Sequence, residues 1–190
     1  MTSKTDQKQR EASEPSQEQK LAELHGLIEK IEIAMMITRM PSGAMAARPM
    51  STQAKREDVD LWFMTTLESE TVADLRADPT ITLAYYDDST REWVSVNGRA
   101  RLVQDRSVIR ERYQADWRAW LGDEGGARNG GPDDPRIVLI EVDAEHATYF
   151  KGTVPRAVAA FRVMKGIVTG EPPKVGVKRE LDGGDLHRGR

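Results

Sequence analysis

The chain has 190 residues, carries Lys+Arg 28 against Asp+Glu 31 for a net charge of −3, and is 38% hydrophobic. That length suits one domain with polar extensions, and the modest apolar share predicts that part of the chain stays unpacked. The absence of Cys excludes a disulfide framework, a thiolate metal site and a cysteine nucleophile, and no basic stripe with interleaved aromatics points to nucleic acid.

The first residues, M-T-S-K-T-D-Q-K-Q-R, lack the apolar core of a signal peptide, and no apolar run is long enough to span a membrane. A cytoplasmic location is the resulting expectation, with neither membrane nor nucleic acid as partner. Residues 1–15 are Ser, Gln, Lys, Glu and Thr without an apolar period and are expected to be disordered. Ser16 and Gln19 have the spacing of a capping box, and Leu21, Leu24, Ile28 and Ile31 recur at helical spacing, predicting an amphipathic helix over 17–30. The β-branched and Met-rich run that follows predicts a strand over 33–40, ended by Pro41-Ser42-Gly43.

A second strand is predicted over 45–51. Pro49 has no N–H for a ladder, which restricts this strand to an edge or a bulge and marks Arg48-Pro49 as an unusual place in a sheet. After a charged tip at 55–58 comes a third strand, 59–66, ending in Thr65 and Thr66. Ser69 then caps a short helix over 70–77, stopped by Asp78-Pro79. The small hydroxyls of Thr65, Thr66, Ser69 and Thr71 running into a helix start, with the cation Arg48 on the preceding strand, describe an anion pocket, because the first helical N–H groups have no partner within the helix.

Residues 80–86 and 91–103 predict two further strands, with Asn97-Gly98 either bending the second or dividing it into a hairpin. A long helix is predicted over 107–121, followed by a Gly/Asp/Pro loop over 122–135. Strands are predicted at 136–142 and 146–151, and Pro155 opens a small helix to Met164. From Lys165 onward the chain reads as a polar surface tail. The divisions are thus 1–15, a domain over 16–152, and a C-terminal helix and tail over 153–190. Many short strands with few helices predict a mostly β, antiparallel barrel with flanking helices.

The residues carry a resemblance. A-R-P-M (47–50), L-W-F-M-T-T (61–66), S-x-x-V (69–72) and D-P-T-I-T-L-A-Y-Y-D (78–87) occur in order. They are followed by V-S-V-N-G-R-A-R-L-V-Q-D (94–105), W-x-x-W-L (117–121), D-D-P-R-I-V-L-I-E-V (133–142) and A-T-Y-F (147–150). Together they cover about residues 20–152 and resemble the FMN-binding split barrel of the pyridoxamine 5'-phosphate oxidase superfamily, in its general stress protein 26-like branch. The resemblance implies a six-stranded split barrel and a homodimer with FMN between the subunits. It also implies that Arg48, Thr66 and Ser69 hold the phosphate, that Pro49, Met50, Phe63, Met64 and Thr65 line the flavin, and that Trp120 forms a wall from the partner chain.

Two departures qualify it. The family usually has a Lys near the helix start, where this chain has Glu70 and Thr71. The C-terminal Arg/His/Asp substrate motif of the true oxidases is replaced by K-G-T-V-P-R (151–156), which speaks against pyridoxamine phosphate as substrate. The implied function is therefore a flavin-dependent oxidoreductase. The alternatives are a non-catalytic flavin carrier or sensor, or a split barrel holding FAD, haem or a deazaflavin.

The residues also have plainer readings. Arg48 can be a surface strand cation, Thr65 and Thr66 simple strand formers, and Trp117 and Trp120 core or interface residues. His25, His146 and His187 show no ligand spacing, so no metal site is expected. The Gly-rich loop lacks G-K-[ST], Asp133-Asp134-Pro135 reads as a turn, and no catalytic triad or carboxylate pair follows from spacing.

Overall fold

The computed structural model describes residues 15–187, so the expectation for 1–15 falls almost wholly outside the described residues. The first helix, α1 (Gln17–Ile31), begins at the predicted capping box: Gln19 N donates to Ser16 Oγ at 3.2 Å and Ser16 N to Gln19 Oε1 at 2.9 Å. It lays Leu24, Leu27 and Ile28 on the sheet.

The strands are β1 (Ile33–Arg39), β2 (Met45–Ser51), β3 (Leu61–Thr66), β4 (Thr80–Tyr86), β5 (Trp93–Val103), β6 (Ile137–Gly152) and β7 (Gly176–Asp182). All pairings are antiparallel, in the order β2-β1-β4-β5-β6-β3, with β7 added alongside β6. The outer strands β2 and β3 approach each other without forming a ladder; Gln53 N reaches Trp62 O at 3.0 Å just beyond them. The sheet is therefore a split barrel, open along one seam, and it has seven strands where six were expected.

β6 is one strand of 16 residues, not the two strands predicted on either side of residues 143–145. The cause lies opposite. At Asn97/Gly98 the register of β5 shifts, pairing Asn97 with His146 and Gly98 with Ala144, so that Glu145 bulges and both strands bend together. A Cβ on Gly98 would lie 2.2 Å from the Asp143 carbonyl oxygen, so only glycine fits. Asn97-Gly98 is thus a bend and not a hairpin.

The helix predicted over 107–121 is also two elements, α3 (Arg106–Arg112) and α4 (Trp117–Leu121). Between them Tyr113 is extended, and its hydroxyl donates to Gly130 O at 2.7 Å. The break lets Trp117 meet the edges of both Trp62 and Tyr113, with ring centroids 6.2 and 5.6 Å apart. These rings, with Ile109, Leu121, Ile137 and Leu139, form a second core beside the main one inside the sheet. The helix α2 (Glu70–Ala77) has the predicted bounds.

The C-terminal part is more ordered than a polar tail. Beyond α5 (Arg156–Thr169), β7 pairs with β6 from His146–Gly152, and a last turn, α6 (Gly183–Leu186), buries Leu186 alongside Leu181 in the main core. A single buried leucine per element gives no period to detect in the sequence. α5 runs five residues further than Met164, to Thr169, and buries none of its side chains; Ile167 is 79% and Val168 86% exposed. No helix among the described residues is long and apolar enough to cross a membrane.

Candidate functional site: a cleft at the open seam

The seam between β2 and β3 opens into a cleft of about 380 Å³. Its floor comes from Pro49 and Met50 of β2 and from Met64, Thr65 and Thr66 of β3. Its far wall is α4, presenting Trp117, Trp120 and Leu121. Thioethers and indoles give the cleft apolar surface, and hydroxyls with the amides of Gln53 and Gln114 give it a polar share of similar extent that can place hydrogen bonds to a small molecule. Glu32 and Asp116 also line it, and no Lys or Arg does among the described residues. Glu32 sits at φ 65, a left-handed position uncommon for a side chain other than glycine, and its carbonyl accepts from Thr52 N at 3.0 Å.

The cleft wall is held from below by a charge cluster that sequence reasoning read as a turn. Arg136, at the foot of β6, grips Asp134 through Nε at 3.0 Å and Nη2 at 2.7 Å. The same guanidinium donates to the carbonyls of Leu121 at 2.8 Å and Gly122 at 3.0 Å, which fixes the C-terminal end of α4. Hydrogen bonding from Arg136 holds the wholly buried Asp134 carboxyl well below the usual carboxylate range. On the other side, Gln53 Oε1 accepts from Gln114 Nε2 at 3.1 Å and from Trp117 Nε1 at 3.2 Å, joining wall to floor. Nothing local in the sequence marks Gln53 or Arg136, because both act across the fold.

At the rim lies the anion-like constellation. Thr65 Oγ1 donates to Ser69 Oγ at 3.1 Å, and Ser69 caps α2 by accepting from Val72 N at 3.3 Å. Arg48 reaches across from β2: Nη1 donates to Asp74 Oδ2 at 2.9 Å and to Thr38 Oγ1 at 3.1 Å, while Nη2 donates to Glu70 Oε2 at 3.0 Å. Thr38 Oγ1 in turn donates to Asp74 Oδ2 at 2.8 Å.

Of the residues singled out in the sequence, Pro49, Met50, Met64, Thr65, Thr66 and Trp120 come together in the cleft. Arg48 and Ser69 stand beside it at the rim. Phe63 does not join them: it is 0% exposed and belongs to the main core, because the alternation of β3 turns its side chain away from Met64. Thr71 is also buried, on the inner side of α2. Trp120, expected from a partner chain, lies on the cleft of its own chain and is 83% exposed.

The three histidines do not share one setting. Burial, helped by the charge of Lys55, lowers the pKa of His25 to about 4. His187, distant in sequence from any acid pair, bridges Asp60 and Asp143 at 3.1 Å each. The ligand atoms of Asp60, Asp143 and His187 all lie within 4.8 Å of one another, a grouping that could hold a metal ion where the sequence led to none being expected, and Asp60 also accepts from Ala144 N at 2.9 Å.

The split barrel is accompanied by a family match: the chain belongs to the family described as pyridoxamine 5'-phosphate oxidase like, which residues 19–174 match. The chain is 34% identical over 167 residues to Protein bli-3 of Neurospora crassa, covering 86% of this chain and 80% of that protein. Among solved structures, the general stress protein 26 from Jannaschia sp. superposes with a TM-score of 0.66 at 19% identity, over 86% of this chain and 98% of that one. A protein related to general stress protein 26 from Clostridium acetobutylicum superposes with a TM-score of 0.60 at 20% identity, over 71% and 89% of the two chains. A pyridoxamine 5'-phosphate oxidase-related, FMN-binding protein from Nostoc punctiforme gives 0.56 at 16% identity, over 73% and 85%. At these identities the structural likeness establishes the fold.

Proposed function

We propose that the chain binds a flavin, FMN in the first instance, in the seam cleft and serves as a flavin-dependent oxidoreductase. The observation that carries the reading is the hydrogen bond by which Thr65 of the cleft joins Ser69 of the rim. An indole-walled slot with placed amides suits an isoalloxazine ring; Thr65, which lines it, donates to the Ser69 that caps α2, and Arg48 reaches Glu70 in the first turn of that helix, where a phosphate would be held. Pro49, Met50, Met64 and Trp120 would line the ring, and Arg48, Thr66 and Ser69 would hold the phosphate. Phe63 and Thr71 would contribute only from behind, as packing. The FMN-binding relative from Nostoc supports the choice of cofactor.

When bound, the flavin supplies the redox chemistry; the protein's part is to bind and orient it and to limit water at the ring. Exposed apolar residues on the outer faces of β1 and β2, Ile33, Met35 and Met45, together with Trp120, support a homodimer with the flavin between subunits. A cytoplasmic location belongs to the same reading and rests on the sequence alone.

A second reading, a flavin carrier or sensor without turnover, is favoured by the described residues that line the cleft, among which there is no His, Lys or Tyr to act on a substrate. FAD in place of FMN is compatible with the open side of the cleft. The test is an absorbance spectrum after incubation with FMN or FAD and desalting. Retained flavin bands support the reading, and bands lost in Arg48→Ala tie them to this site; absence of retained flavin overturns it. Oxidation of a reduced nicotinamide by the loaded protein separates enzyme from carrier.

A further inference from the structure

Arg48 has two carboxylate partners that differ in kind. Asp74 is 3% exposed, accepts from Thr38 as well, and is fixed. Glu70 is 84% exposed, and among the described residues its side chain is met only by Arg48 Nη2, at 3.0 Å. Glu70 also stands in the first turn of α2, directly after the capping Ser69. Its carboxylate therefore occupies the Nη2 donor that an anion drawn to the guanidinium would use, and chemically it stands in for one oxygen edge of such an anion.

We infer that Glu70 is a displaceable counter-ion that sets the affinity of the rim for phosphate: a phosphate ester gains Nη2 of Arg48 only by expelling the Glu70 carboxylate. This rests on the flavin reading as far as the phosphate is that of FMN, but the ion chemistry is independent of it. The carboxylate acts against phosphate twice, by occupying the donor and by repelling a second anion. An exposed ion pair gives way at small cost, so the effect is a tuning and not a block. Asp74 plays the complementary part, holding Nη1 so that the free edge of the guanidinium keeps its direction. The site thereby discriminates less between flavins with and without a phosphate than its cation alone would allow.

The experiment compares the full chain with Glu70→Gln, which keeps shape and loses charge, and with Asp78→Asn, which removes a carboxylate from the other end of α2 that pairs with Arg39 and not with Arg48. Inorganic phosphate is titrated while the Arg48 Nε–Hε resonance is followed, and FMN and riboflavin affinities are measured separately. Glu70→Gln is expected to shift the phosphate midpoint to about three- to tenfold lower concentration, with Asp78→Asn unchanged. FMN should tighten by a similar factor and riboflavin should not.

Equal midpoints in Glu70→Gln and wild type overturn the inference, as does an equal gain from Asp78→Asn or an equal gain for riboflavin. An Arg48 resonance that phosphate fails to move in either protein also overturns it. Failure of FMN to bind either protein while the phosphate shift persists removes the flavin reading and leaves the role of Glu70 standing.

Discussion

Arg48 and Arg112 are built to the same plan and end in different states. Each links one buried carboxylate to one exposed carboxylate. Arg112 donates to Glu141 and to Asp58 at 2.7 Å each, with Glu141 8% and Asp58 55% exposed. But Arg112 is itself 4% exposed, and its guanidinium lies 5.4 Å from the centroid of the Trp62 ring. Arg48, at 23% exposure, has no ring over it among the described residues. An aromatic cover excludes water and competing anions and turns an ion pair into architecture; without it, the same pair remains open to exchange. Position in the sheet decides which occurs: Glu141 is on the central strand β6, whereas Arg48 is on the edge strand β2 at the seam.

Breaking the covered pair should have the largest effect. Arg112→Met strands the buried Glu141 carboxylate with Arg101 as its other cation, and should lower unfolding free energy in urea by about 3–5 kcal/mol. A loss below about 1 kcal/mol would erase the contrast with Arg48. Arg48→Ala leaves Asp74 with the Thr38 hydroxyl, and should cost about 1–3 kcal/mol while abolishing flavin retention after desalting. A larger loss of stability than in Arg112→Met would reverse the assignment of the two pairs.

A charge that the fold refuses sharpens the comparison from the other side. His25 has its pKa lowered to about 4 by burial and by Lys55, below the unfolded value of 6.5, so the unfolded chain binds the proton first. Its contribution to stability is complete above pH 6.5 and is lost as the pH falls toward about 4. The urea midpoint should decline across that window, and His25→Gln should flatten the decline. The smallest effect on folding is expected at the cleft wall: Trp120→Ala should move stability by no more than about 0.5 kcal/mol, since the ring is 83% exposed, yet weaken quenching of bound flavin fluorescence.

What could be read from the sequence follows the range of the interactions. The bounds of β2, α2 and β4 coincide with their local patterns, because turn residues, Ser69 and Asp78-Pro79 are local signals. Thr65, Thr66 and Ser69 were legible as a cluster because they are neighbours in the chain. Asp74 as the buried partner of Arg48 was not, since 26 residues separate them and a polar helix position carries no mark of burial. Arg136, fixing α4 from 15 residues away, was missed for the same reason, and β7 because its order comes from the ladder on β6 and not from its own apolar period. Phe63 was misplaced within a correctly read strand: its neighbours on the cleft are real, but alternation gives it to the core.

The long strand β6 pairs with β5 over Leu139–Phe150, and along its other edge with β3 at Ile137–Val142 and with β7 at His146–Gly152. β2 is laddered on one side only. Amide exchange should therefore separate the two by mechanism, with the protons of β6 released only on global unfolding and those of β2 released by opening of the edge. The backbone that carries Arg48, Pro49 and Met50 is thus an edge of the barrel that opens locally, and a ligand arriving at the cleft meets that side of its floor through fluctuations that leave β6 undisturbed.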